Sequence, residues 1–214
     1  MDVNLYKESI KKITVWDGDG SVFGFIDSGS FMTDYIYEFY CSMEMLNDLS
    51  VSHKVSIVPG EKGIHFSRKG GHKINHAKFL IFSSNGEECL FQICLGTEIY
   101  MKDGYPFRAD ISVQTPDADD SPNQEAVILI HDSKYSSLDG TISLSEIKAF
   151  ATDVSDFDVP KPDVEKLIFS KFPFLKFNCL ISNISINSIR KNYAIERNVK
   201  QIGKFFPGST ALED

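Results

Sequence analysis

Cysteine is scarce in this sequence: Cys41, Cys89, Cys94 and Cys179 form no CxxC pair, which leaves neither a disulfide framework nor a thiolate zinc knuckle to read. No apolar run approaches the roughly 20 residues that a membrane helix needs, so no membrane partner is expected. Met1 to Lys12 is mixed in polarity and lacks the apolar centre of a secretory signal, which makes the cytoplasm the expected compartment. There is no GxxxxGK[ST] loop and no GxGxxG fingerprint, and nucleotide-driven work is therefore not expected. Positive charge is also in deficit, with 22 Lys and Arg against 30 Asp and Glu, a net of −8. A surface coated for nucleic acid is excluded by that balance.

What is present is ordinary globular material: 214 residues, 42% hydrophobic and 24% charged, enough to bury a core without staples. The charge is unevenly spread. From Pro160 to Lys204 nine Lys and Arg face three acids, a net of +6, so residues 1–159 carry −12. An acidic body with a basic C-terminal segment can grip a phosphate backbone locally, or simply be solvated.

Periodicity supplies the elements. Phe31, Tyr35, Phe39, Met43 and Leu46 recur at helical steps, predicting a helix over 28–49 capped by Ser28 or Ser30. Strands are expected over 54–58, 79–82, 90–100, 109–114 and 126–135, the last with a nearly continuous apolar first half that suits a central strand. Helices at 144–157 and 185–197 alternate with strands at 177–184 and 199–206. The order predicts an α/β fold with a central mixed sheet flanked by helices. Residues 1–29 read as an N-terminal extension, 30–208 as the domain and 209–214 as a tail.

Two neighbouring strands carry the chemistry. Asp110 opens the ADISVQ strand, and Asp132 and Lys134 lie two apart at the end of VILIHDSKY, where strand alternation puts them on one face. If the strands pair, Asp110 and Asp132 converge on one divalent ion, with the Ser133 carbonyl as a further ligand. Mg²⁺ (or Mn²⁺) suits a few carboxylate oxygens plus water and phosphate. Lys134 would position the attacking water or stabilise charge on phosphorus. The loop 67–78 gathers Arg68, Lys69 and Lys73, candidate phosphate contacts that equally fit a solvated hairpin tip. Glu98 reads as structural. Asp17-Gly18-Asp19-Gly20 fails as a calcium loop, since Ser21 and Ser28 stand where acids are required. His72 and His76 have helical zinc spacing, but Gly70-Gly71 before them favours a polar loop.

This arrangement resembles the PD-(D/E)xK nuclease superfamily, with Asp110 as its first acid and Asp132-Ser133-Lys134 as its (D/E)xK element. The segments HDSKYSSLDGTISLSEIKAFATDVSDF and NCLISNISINSIRKNYAIERNVKQIGKFFPG are similar to the (D/E)xK strand, helix and closing elements of restriction-endonuclease-like proteins. Ala109 stands where the first motif usually has Pro, and Asp132 where Glu is more frequent. The resemblance implies a restriction-endonuclease-like fold, with Glu38 of YIYEFYCSMEML as an auxiliary acid. It also implies metal-dependent phosphodiester hydrolysis of nucleic acid, DNA in the first instance, with a homodimer or a partner subunit supplying target recognition. The alternatives are a catalytically inactive scaffold or nucleic-acid-binding subunit, and a phosphatase or nucleotide hydrolase on the same two acids.

Overall fold

The first fifty residues are helical because their apolar side chains return every three or four positions. In the computed structural model, which describes residues 2–29, 31–67, 71–157 and 162–213, α1 (Val3–Ile13) and α2 (Ser21–Ser28) precede α3 (Thr33–Leu49). Asp2 caps α1 by accepting from the Asn4 N–H at 2.9 Å. The single helix expected from Ser28 is interrupted at Gly29, where the Phe31 ring leaves no space for a Cβ. Tyr6, Ile10, Val22, Phe25 and Ile26 are buried in the same cluster as Ile36, Phe39 and Leu46 of α3. The helices α1 and α2, expected within an extension, thus contribute to the core: one apolar stripe on each finds its partner on α3.

The strands follow as β1 (Lys54–Val58), β2 (Lys78–Phe82), β3 (Cys89–Leu95), β4 (Glu98–Tyr100), β5 (Pro106–Arg108), β6 (Ile111–Gln114) and β7 (Val127–Lys134). Then come α4 (Leu144–Asp156), β8 (Cys179–Ser182), α5 (Lys191–Ile195), β9 (Lys200–Gly203) and β10 (Leu212–Glu213). Eight strands form one sheet in the order β1-β2-β3-β6-β7-β8-β9-β10, and β4 pairs with β5 apart from it. Pairing is antiparallel from β1 to β7, parallel across β7, β8 and β9, and antiparallel again at β10. The fold is α/β, a mixed central sheet flanked by helices, as expected.

Each face of the sheet has its own core. The first joins α1, α2 and α3 to residues such as Phe79, Phe91, Ile111 and Ile181; the second joins Ile147, Phe150 and Val154 of α4 to Val127, Ile130 and Leu180. A capping box starts α4, with Ser143 and Glu146 satisfying each other's backbone N–H groups.

The strand expected over 90–100 divides at Gly96, whose φ of 56° lies in the left-handed region and lifts β4 out of the main sheet. The helix expected over 185–197 shrinks to a 3-10 turn, Ser188–Arg190, and five residues of α5, of which only Ala194 is buried. Ahead of it Asn187 ties the chain elsewhere, donating from its side chain to the Ile142 carbonyl at 3.0 Å and from its N–H to Gln201 Oε1 at 3.0 Å. No helix among the described residues is long and apolar enough to cross a membrane.

One buried carboxylate holds the two halves together. Asp48, near the end of α3 and 1% exposed, accepts the backbone N–H groups of Ser170 at 2.9 Å, Lys171 at 2.8 Å and Phe172 at 2.7 Å. Hydrogen bonds to a charged acceptor are worth more than neutral ones, and donors orphaned in a core cost their full desolvation. Replacing Asp48 with Ala is expected to lower unfolding stability by about 3 kcal/mol or more, with Asp48→Asn intermediate, measured by urea denaturation. A loss below about 1 kcal/mol would mean that water reaches those three donors.

Candidate active site

The site begins where a ladder stops. Pairing of β6 with β7 runs to Ile111 opposite His131 and no further. Beyond it the Asp110 carbonyl accepts the Gly96 N–H at 2.9 Å, which holds Ala109-Asp110 against the β3–β4 turn. The Ser133 N–H of β7 is left without a strand partner there, and Asp110 Oδ2 takes it at 2.7 Å. A side-chain carboxylate has replaced the missing backbone acceptor, which fixes Asp110 beside the end of β7. A residue in an extended strand turns its N–H and C=O to the same side, so the Ser133 carbonyl also faces that edge.

Asp132 and Lys134 share the face that alternation assigns them. Lys134 Nζ lies 2.9 Å from Asp132 Oδ1 and 2.8 Å from Oδ2, with the two side chains 39% and 21% exposed. Glu38 reaches the same neighbourhood from α3, and the three acids act on one another. Burial first, then the Asp132 charge, raises Glu38 from 4.5 to about 7, against the lowering effect of Lys134. Burial also pushes Asp110 well above the usual carboxylate range, helped by Asp132, close enough to share a proton, and by Glu38; the Ser133 N–H opposes this. For Lys134 burial works against the ammonium, but Asp132, Asp110 and Glu146 outweigh it and hold its pKa above the ordinary value. The lysine is a cation here and not a free base.

Asp153 of α4 was not anticipated. Burial and then Asp132 raise it to about 6. The signal was available: Glu146 and Asp153 stand seven residues apart beside the buried stripe of α4, on the side that faces Asp132 and Lys134.

The basic loop fares differently. Arg68 and Lys69 lie outside the described residues. Lys73, expected at the surface for phosphate, is 1% exposed, and its ammonium donates to the carbonyls of Ala118 and Asp119, each at 2.8 Å. The 3-10 turn Lys73–Asn75 sends the side chain inward, where it anchors the 115–125 loop together with Gln92, whose amide donates to Pro116 at 2.7 Å and Ala118 at 2.9 Å. Glu98 is occupied by Arg108 at 2.8 Å and His72 at 3.2 Å.

Among the described residues no three His, Cys, Asp or Glu side chains stand as a ready metal-ligand set, and both oxygens of Asp132 face Lys134. In chemistry and charge, however, the donors fit a hard divalent cation. Glu38, Asp110 and Asp132 bring three carboxyls to one ammonium, and the excess is met only by protons on groups whose pKa is raised. Asp110, Asp132 and the Ser133 carbonyl would hold such an ion, with Glu38 beside them.

A sign follows for stability. An acid raised on folding adds stability that is complete below its unfolded value and lost as pH rises through its folded value. His131, buried neutral and lowered by burial from 6.5 to about 4, acts oppositely, adding stability as pH rises from about 4 to 6.5. Above pH 6.5 the carboxyls act alone. The melting temperature of metal-free protein is therefore expected to fall by a few degrees between about pH 6.5 and 8. Glu38→Gln should flatten the fall, and Mn²⁺ at pH 8 should reverse it. A wild-type profile as flat as that of the variant, with no Mn²⁺ effect, would remove the carboxylate excess from the account. Comparison with protein-family models, with curated proteins and with solved structures finds no match, so the site rests on its own residues.

Proposed function

We propose that this chain is a metal-dependent nuclease of the PD-(D/E)xK type, hydrolysing phosphodiester bonds of nucleic acid, DNA in the first instance. The observation that supports it most is the joining of Asp110 to the DxK strand by its 2.7 Å bond to the Ser133 N–H, within a group of three acids that meets one lysine among the described residues. Mg²⁺ or Mn²⁺, when bound, would supply Lewis acidity toward the phosphate.

The chain's own residues supply the rest. Asp110 is fixed from two sides, through its carbonyl and its carboxylate, so it presents a constant geometry to whatever binds. Lys134, kept protonated by its acidic neighbours, would hold an attacking water by donating to its oxygen and would offset the charge that grows on the phosphate oxygens. Glu38, with a pKa near neutrality, would hold or release a proton at its carboxylate as the charge of the site changes. A phosphate brought to this edge meets repulsion from three acids and attraction from one lysine, which favours substrate and cation arriving together.

The closed Asp132–Lys134 ion pair favours a second reading, a scaffold on which these acids are structural. One experiment separates the two. Supercoiled plasmid, linear duplex, single-stranded DNA and RNA are incubated at low salt with Mg²⁺, Mn²⁺ or EDTA. Metal-dependent cutting is expected, reduced by about 100-fold or more in Asp132→Ala and in Lys134→Ala while both keep a cooperative melt. Full activity in Lys134→Ala would remove the lysine from the mechanism, and absence of cutting together with absence of metal binding by calorimetry would favour the scaffold.

A further inference from the structure

A cleft of about 620 Å³ opens beyond the C-terminal ends of β7, β8 and β9, walled by the start of α1 and by the loops that follow those strands. The carboxyl ends of parallel strands are where open α/β sheets take their ligands, and the volume falls within the ~300–1,000 Å³ range of small-ligand sites. Asp110, Asp132 and Lys134 are not among its lining residues, and its link to them is the backbone of β7. Tyr135 lines the cleft and directly follows Lys134, with consecutive Cα atoms ~3.8 Å apart.

The lining says which part of a ligand enters. Tyr6, Tyr135 and Phe206 give aromatic surface. Tyr135 is half-buried and its ring is set against Tyr37, with centroids 5.9 Å apart, and Tyr37 in turn meets Tyr6 at 6.0 Å. This chain of rings reaches into the α1–α3 core and holds Tyr135 in place. The charged lining residues are Asp2, Asp139 and Lys204, a balance of one negative charge, so a run of phosphates gains nothing inside. A neutral, flat group suits it, with the phosphate left outside at the neighbouring acids. A paired base cannot leave its duplex to enter without unstacking, whereas an unpaired one stacks on aromatic side chains whatever its identity.

We infer that this cleft is the subsite for one unpaired nucleotide next to the scissile phosphate, so the substrate is a nucleic acid strand carrying an unpaired base at the cleavage position. The inference rests on the nuclease reading and adds the substrate class. The base and sugar occupy the cleft against Tyr135, while the adjoining phosphate lies at Asp110, Asp132 and Lys134.

The test is fluorescence anisotropy in EDTA with a labelled single-stranded oligonucleotide and the blunt duplex of the same sequence. The single strand should bind about tenfold more tightly or better. Tyr135→Leu should lose about that factor, Tyr135→Phe should keep it, and Ser185→Leu, which narrows the cleft from another wall, should lose it with the melting temperature unchanged.

Equal binding of strand and duplex, or wild-type affinity in both Tyr135→Leu and Ser185→Leu, overturns the inference even if the protein cuts duplex DNA. A mononucleotide competing as well as the oligonucleotide also overturns it, in favour of a free-nucleotide pocket. Strand preference that depends on Tyr135, found in a protein that cuts nothing with any metal, keeps the subsite and discards the nuclease.

Discussion

The hydrogen bond from the Ser133 N–H to Asp110 is the interaction on which the rest of the site depends. It exists because β6 and β7 part after Ile111 and His131, leaving a buried donor that must find an acceptor. Had the ladder continued, a backbone carbonyl would have met Ser133 and the Asp110 side chain would have had no fixed position. Gly96 sets the parting from the other side: in its left-handed conformation it turns β3 into β4 and gives its N–H to the Asp110 carbonyl. One turn and one truncated ladder convert an ordinary strand start into a held carboxylate.

That placement has an electrostatic consequence. Among the described residues three carboxyls gather around one lysine at the rim of a core, and burial first, then their mutual repulsion, makes two of them hold protons at pH values where free carboxyls have lost them. Such a group is destabilising in itself, and its cost is carried by contacts elsewhere. The sheet buries both faces, and Asp48 ties α3 to the segment before β8 with three backbone donors. The two aspartates illustrate opposite uses of burial. Asp48 is surrounded by N–H groups and serves the fold. Asp110 has one N–H and two acids for neighbours and belongs to the candidate site.

The strands and the pairing of Asp132 with Lys134 were legible in the sequence for physical reasons. The apolar run of VILIHDSK announced a central strand, observed as β7, and period-two alternation put Asp132 and Lys134 on one face. The helix over 144–157 followed from its stripe. Less legible was anything that depends on a distant partner. The stripe on α1 could be read only once α3 was there to receive it, so residues 1–29 read as an extension. Gly29 and Gly96 interrupt elements through a Phe31 ring and a left-handed turn that periodicity does not encode. Lys73 looked like a surface cation because its acceptors, the carbonyls of Ala118 and Asp119, lie some 45 residues along the chain. Asp153 carried a signal in its seven-residue spacing from Glu146 beside the buried stripe of α4, but a carboxylate on a helix edge gains meaning only from the strand it faces.

The sheet also places the end of β7 between two kinds of neighbour. β7 is paired antiparallel on one side, with β6, and parallel on the other, with β8. Its C-terminal end therefore borders two kinds of neighbour. On the antiparallel side it meets the beginning of β6, which brings Asp110 to it. On the parallel side all the strands end together, and their connections must leave the sheet in the same direction, which opens a space between loops. A residue at the end of such a strand touches both environments within one step of the backbone: Lys134 turns to the acids and Tyr135 to the cleft. The topology thus sets the candidate site and the loops around the cleft on opposite sides of β7, so the loops can vary without disturbing the hydrogen bond that holds Asp110.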